Sequence, residues 1–285
     1  MLKQMIFASA TAILTLVAGV GSGAQRLPGG GGGAALLRYR FVAGQRFTYQ
    51  VMSTQHIIPV TSSASHIGQL GAAESIIEAR VNGSTTGVLS GTLHEHIVSV
   101  DQNGVARIAL SIDHLLVTTN GQPASLDQRQ SFGTVTIAPD GSQRTDGDGR
   151  VTGGAVASGP ILPPYPIGRG GRWSNTVKVL VPGVDLLVRP AVSEDTLEGF
   201  GQADGEPVAV IGAVIPLHAR ANISLGNTSV HVEESGRETL RFLLGLDSGQ
   251  VISSQGRITA HVSVRQDGGL FQETVVVETS QRRTG

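Results

Sequence analysis

The chain is 285 residues long, 40% hydrophobic and 15% charged, with 39 glycines, no cysteine and a formal net charge of −1. Lacking cysteine, it has no disulfide framework and offers no thiolate chemistry. Its near-neutral balance, without a basic cluster, argues against nucleic acid or an anionic membrane surface as a partner.

Residues 1–24 read as a secretory signal peptide. Lys3 supplies the positive start, residues 6–20 form an uncharged apolar run, and Ser22 and Ala24 put small side chains at the −3 and −1 positions of a cleavage site before Gln25. The run is shorter than the roughly 20 apolar residues that a spanning helix needs. The expectation is export, to the periplasm or outside the cell, with no membrane span after cleavage. The remaining chain would carry a net charge of −2 and a single lysine, Lys178.

Residues 25–35, with glycines at 29–33, read as a flexible tether. From 36 the pattern turns to strands. Leu37, Tyr39 and Phe41 alternate with Arg38 and Arg40, and after Gly44-Gln45 the alternation resumes at Phe47, Tyr49 and Val51, which predicts a strand pair. Residues 72–80 fit two turns of helix or a strand entering Val81. Residues 93–100 and 105–117 flank Asn103-Gly104, a hairpin signal, and Ala106, Ile108, Leu110 and Ile112 mark one apolar face. Residues 121–159 read as a Gly/Asp/Ser-rich connection with one strand at 131–138.

The stretch 159–183 holds Pro160, Pro163, Pro164 and Pro166 and the only tryptophan, Trp173. Prolines fix φ and push the preceding residue toward extended geometry, so this is a stiff crossing segment that ends in a strand opened by Trp173. Trp173 and Tyr165 are the candidates for a core anchor or for the lining of a ligand site. Hairpins follow: 196–202 with 208–217, 239–245 with 250–264, then 270–279. An aspartate followed closely by glycine closes each turn, which predicts an antiparallel meander. Gly44-Gln45-Arg46-Phe47 and Gly170-Gly171-Arg172-Trp173 open strands alike, dividing the β region into two related halves, 36–120 and 160–285.

The Tyr-x-Phe-x-x-Gly-x-x-Phe-x-Tyr stretch from Tyr39 to Tyr49, with the later Pro-rich Gly-x-x-Trp segment, resembles uncharacterised exported β-rich proteins of bacterial envelopes. More distantly the chain is similar to lipoprotein-carrier folds, in which a curved antiparallel sheet cups acyl chains. The resemblance implies a fold and a compartment, and it transfers no catalytic residue.

Among candidate chemistry, His94 and His96 share one face of a strand. If Asn103-Gly104 forms a two-residue turn, Asp113 lies opposite His94, giving a set suited to a divalent transition metal. A solvated polar face is the competing reading, and a one-residue slip of register removes the carboxylate. Asp146-Gly147-Asp148-Gly149 begins like a calcium loop but lacks its later ligands. There is no Gly-x-Ser-x-Gly elbow and no dinucleotide fingerprint, so no catalytic residue and no cofactor are expected. The sequence therefore predicts an all-β, mainly antiparallel protein, one curved sheet or two packed sheets, with at most one short helix after the signal peptide. Its expected role is non-enzymatic binding of an apolar small molecule or lipid, or else interaction with another envelope protein.

Overall fold

The computed structural model describes residues 25–26, 33–62, 85–126, 130–144, 159–180, 188–225, 228–266 and 269–285. The signal-peptide reading of 1–24, the element at 72–80 and Asp146 to Gly149 lie outside them. No helix occurs among the described residues, and none is long and apolar enough to cross a membrane.

The described residues form fourteen strands: β1 (Gln25–Arg26), β2 (Ala35–Leu36), β3 (Arg46–Ser62), β4 (Thr85–Val100), β5 (Ala106–Thr119), β6 (Gln122–Leu126), β7 (Gln130–Ile137), β8 (Gln143–Arg144), β9 (Arg172–Leu180), β10 (Val188–Ala203), β11 (Glu206–Leu225), β12 (Thr228–Gly245), β13 (Val251–Gln266) and β14 (Gly269–Arg283). Twelve form one antiparallel sheet, eleven of them in the order β8-β7-β5-β4-β3-β14-β13-β12-β11-β10-β9, with β6 on β5 beside that path. Among the described residues the curved sheet does not close: β8 and β9 stand at opposite edges. The chain meanders from β3 to one edge, crosses to the other, and meanders back until β14 pairs with β3.

Period-two alternation fixes which face is buried. On β4 the buried residues are Leu89, Gly91, Leu93, Glu95 and Ile97, and every alternate neighbour is more open. The inner face so defined carries the main core: Ile97, Ile108, Leu110 and Ile137 from one half meet Trp173, Leu197, Ile211, Phe242 and Leu244 from the other.

Several sequence expectations are corrected. Residues 37–41 alternate in burial but do not pair with β3. Their partners are distant: Ala35 exchanges both backbone hydrogen bonds with Ile167, and the Tyr39 N–H donates to Pro139 O. Gln25–Arg26, inside the expected tether, pairs with Ala35–Leu36. Asn103-Gly104 is not a two-residue turn. Asp101 closes a longer loop by accepting from the N–H groups of Asn103 and Val105. The two-residue turn falls at Asn120-Gly121, both at positive φ (49° and 79°), and it launches β6. The connection 121–159 thus carries β6, β7 and β8 instead of one strand.

Residues 33–45 and 159–171 lie together as a plug joining the two edges. Arg38 donates to Pro163 O and Pro164 O, Leu162 N–H to Asp140 O, and the Tyr39 hydroxyl to Pro160 O at 2.8 Å. The halves are built alike at this end. Gly44 N–H donates to Ile97 O and Ile97 N–H to Gln45 O, just as Gly170 pairs with Leu197 O and Leu197 with Gly171 O. Each of these aliphatic residues is followed by a register shift, Ile97/Ser99 on β4 and Leu197/Gly199 on β10.

Candidate functional site

Past the plug, the longer strands continue with an apolar inner face. Val232, Val262, Val275 and Val277 form one buried cluster, and Ile215, Leu217 and Ala260 another. Set among these aliphatics are buried carboxyl groups. Glu238 lies in register between Ile215 and Ile258, Glu234 between Ala219 and Val262, and Glu273 opposite Val262 from the other side. Asp195 and Glu95 complete the set nearer the plug. Among the described side chains, the one basic group on the inner face is Arg283, which is committed to Glu206 at 3.0 Å.

Two of these acids occupy equivalent positions in the two halves. Phe47 pairs with Glu95, and Trp173 pairs with Asp195. The residue two positions after each aromatic faces the acid: the Tyr49 hydroxyl lies close enough to Glu95 to lower its carboxyl, and the Asn175 amide donates to Asp195 at 3.1 Å. Ser193 Oγ adds a second bond to Asp195, also at 3.1 Å. Burial pushes the Asp195 carboxyl up to about 6 against the lowering effect of these two bonds. It pushes Glu95 well above the usual carboxylate range and Glu238 up to about 7. The Tyr39 and Tyr49 hydroxyls are held protonated, first by burial and then by the neighbouring acids.

The chain matches no family model and no curated protein. Its chemistry is therefore read from its own geometry.

Trp173 is buried, and its indole N–H donates to Ile161 O at 2.7 Å. It belongs to the core that seals the plug end. Tyr165 does not: it sits on the outer bend of the crossing between exposed Pro164 and Pro166, 49% exposed, so its reading as a core anchor is corrected. Of the proposed metal set, only His94 and Asp113 meet. His94 Nε2 is 2.9 Å from Asp113 Oδ2, while Thr48 Oγ1 approaches Nδ1 at 3.4 Å. Bulges at both ends of the β4–β5 ladder place His94 opposite Ser111 and Asp113 opposite Thr92, and His96 pairs with Ala109. Among the described residues no three metal-ligating side chains are gathered.

The remaining histidines are spread along the sequence from His56 to His261. The registers gather three on the outer face. His218 lies opposite Ser235, itself opposite His261, and His231 lies opposite Arg265. His218, Arg220, Glu233, His261 and Arg265 line a recess of about 770 Å³. Glu233 ties it together, bonded to His231 and paired with Arg220 at 3.3 Å, and these contacts hold its carboxyl below the usual range, the bond to His231 first. The inner acids were missed for a different reason, since charged residues are assumed to face water. The signal was present: counting back by twos from Phe242 and Leu240 puts Glu238 and Glu234 inside.

Proposed function

We propose that the protein is an exported, non-enzymatic binding module that holds an apolar ligand or lipid against the inner face of its unclosed sheet. The observation that carries this reading is the inner face of β11 to β14, which beyond the plugged core is built mainly of aliphatic side chains, interrupted by Glu238, Glu234 and Glu273. A plug at one end and an unclosed seam between β8 and β9 are what a ligand lying along the strands requires. Export is supported by the features of residues 1–24.

Native mass spectrometry of the protein purified from its own source tests the proposal. Retention of an apolar adduct, and saturable calorimetric binding of dodecanol, are expected. Clean apo-protein that takes up no dodecanol would sink it. A second reading, docking of another envelope protein, is favoured by one feature: β9 is the last strand of the sheet, with no strand on its far side among the described residues.

A further inference from the structure

We infer that the interior ligand carries a positively charged, hydrogen-bond-donating head, an amine or comparable cation, and that Glu238 holds this head where the plugged core gives way to the apolar strands. This rests on the reading of the interior as an apolar ligand site.

Glu238 is 8% exposed, sits between Ile215 and Ile258, and has no hydrogen bond or ion pair among the described residues. Toward the core, Thr279 Oγ1 and Ser53 Oγ belong to residues paired across β14 and β3, and both are buried without a partner. Gln281 Nε2, on the same face of β14, is likewise unpartnered. Buried polar groups are normally satisfied, so these unpartnered groups on the one inner face are open to a polar group of a ligand.

The charge inventory decides which polar group. The titratable groups facing the interior from the surrounding strands are Glu95, Asp195, Glu234 and Glu273, with Arg283 already paired to Glu206. Among the described residues an anionic head would meet carboxylates and an arginine already paired, whereas a cationic head would meet groups of opposite charge, Glu238 first. On the other side, Val232, Val262, Val275 and Val277 form an aliphatic cluster for the tail, with Glu234 and Glu273 flanking Val262. The six-residue step along β12 from Glu238 to Val232 spans roughly 20 Å, enough for a long alkyl chain.

Calorimetric titration of the full chain at mildly alkaline pH with dodecylamine, dodecanol and dodecanoate separates the possibilities. Dodecylamine should bind about tenfold more tightly than dodecanoate, with dodecanol between them. Glu238→Gln should reduce the amine to the affinity of the alcohol and leave the alcohol unchanged. Should that variant not fold, the wild-type amine-to-alcohol affinity ratio should rise as pH passes about 7, where Glu238 ionises. If dodecanol binds but the amine has no advantage, or keeps it in Glu238→Gln, the head assignment fails and the apolar site stands. If none of the three binds, both fail.

Discussion

Trp173 shows how much one side chain settles at the residue scale. Its ring joins the core shared by both halves, and its N–H reaches Ile161 O on the proline crossing. Truncation of such a residue typically costs about 3–5 kcal/mol, so Trp173→Ala should lower the melting temperature severely. Trp173→Phe should cost much less, because Asn175 also donates to Ile161 O at 2.8 Å and the carbonyl keeps a partner. Thermal melts of the two variants, with native emission from this single tryptophan, check the ranking. An equal loss for both, or a red, freely quenched native emission, would overturn the anchor role. Tyr39 is the counterpart on the other plug segment. A Cβ at Gly159 would stand 2.2 Å from its hydroxyl, and one at Gly141 2.5 Å from its ring. Gly159→Ala should therefore loosen the plug, read as faster hydrogen exchange at 33–45 and 159–171, and unchanged exchange there would rule the latch out. That Trp173 mattered was legible from its uniqueness and its stiff approach. Tyr39's role was not, because it depends on two glycines more than a hundred residues away in sequence.

At the scale of elements, alternation told inside from outside where it was read, as with Ala106, Ile108, Leu110 and Ile112 on β5. Register was harder to read, because it is set by bulges whose positions no local propensity marks. The shifts at Ser90/Thr92 and Ile97/Ser99 decide that His94 meets Asp113 without His96. Residue His114 takes a left-handed φ of 51° on the bulged strand. The same pattern of glycine, aromatic and paired acid recurs in both halves, and only its glycine–aromatic part is visible in the sequence. The Asn120-Gly121 turn gives a direct test of local encoding. Gly121 sits at φ 79°, and a side chain in that region costs roughly 1–2 kcal/mol. Gly121→Ala should destabilise by about that amount and weaken exchange protection in β5 and β6 first, whereas the same change at Gly87, with ordinary φ and only Thr118 O near the added carbon, should be much milder. Chemical denaturation of the two variants distinguishes them, and equal effects would argue against the turn assignment.

For the whole molecule, the buried acids set how stability depends on pH. Glu238 is raised by burial from 4.5 to about 7, and Asp195 by burial from 3.8 to about 6. A raised carboxyl value means that the folded chain holds its proton where the unfolded chain has released it. Between those limits the native state binds more protons, so stability is fully present at the acid end and falls as pH rises. Each full shift corresponds to about 3 kcal/mol, a sizeable part of the 5–15 kcal/mol that holds a domain together. Glu95 acts in the same direction. Glu206 acts oppositely: although burial opposes it, bonds from Ser248 and Arg283 hold its carboxyl below 4.5, so its contribution is lost on acidification below that value. Stability should therefore peak in mildly acid solution and decline toward neutrality. Urea denaturation across this range should show the midpoint falling as pH rises from about 5 to about 8. Glu238→Gln, which keeps the shape and removes the charge, should flatten the decline and make the variant more stable than wild type at the alkaline end. A cationic ligand bound at Glu238 should restore the lost stability at that same end, because it neutralises the charge the fold leaves unpaired. A midpoint that stays level or rises toward neutrality, or a Glu238→Gln variant with the wild-type slope, would show that these carboxyls are solvated or paired in solution, and would remove the electrostatic basis for a cationic head.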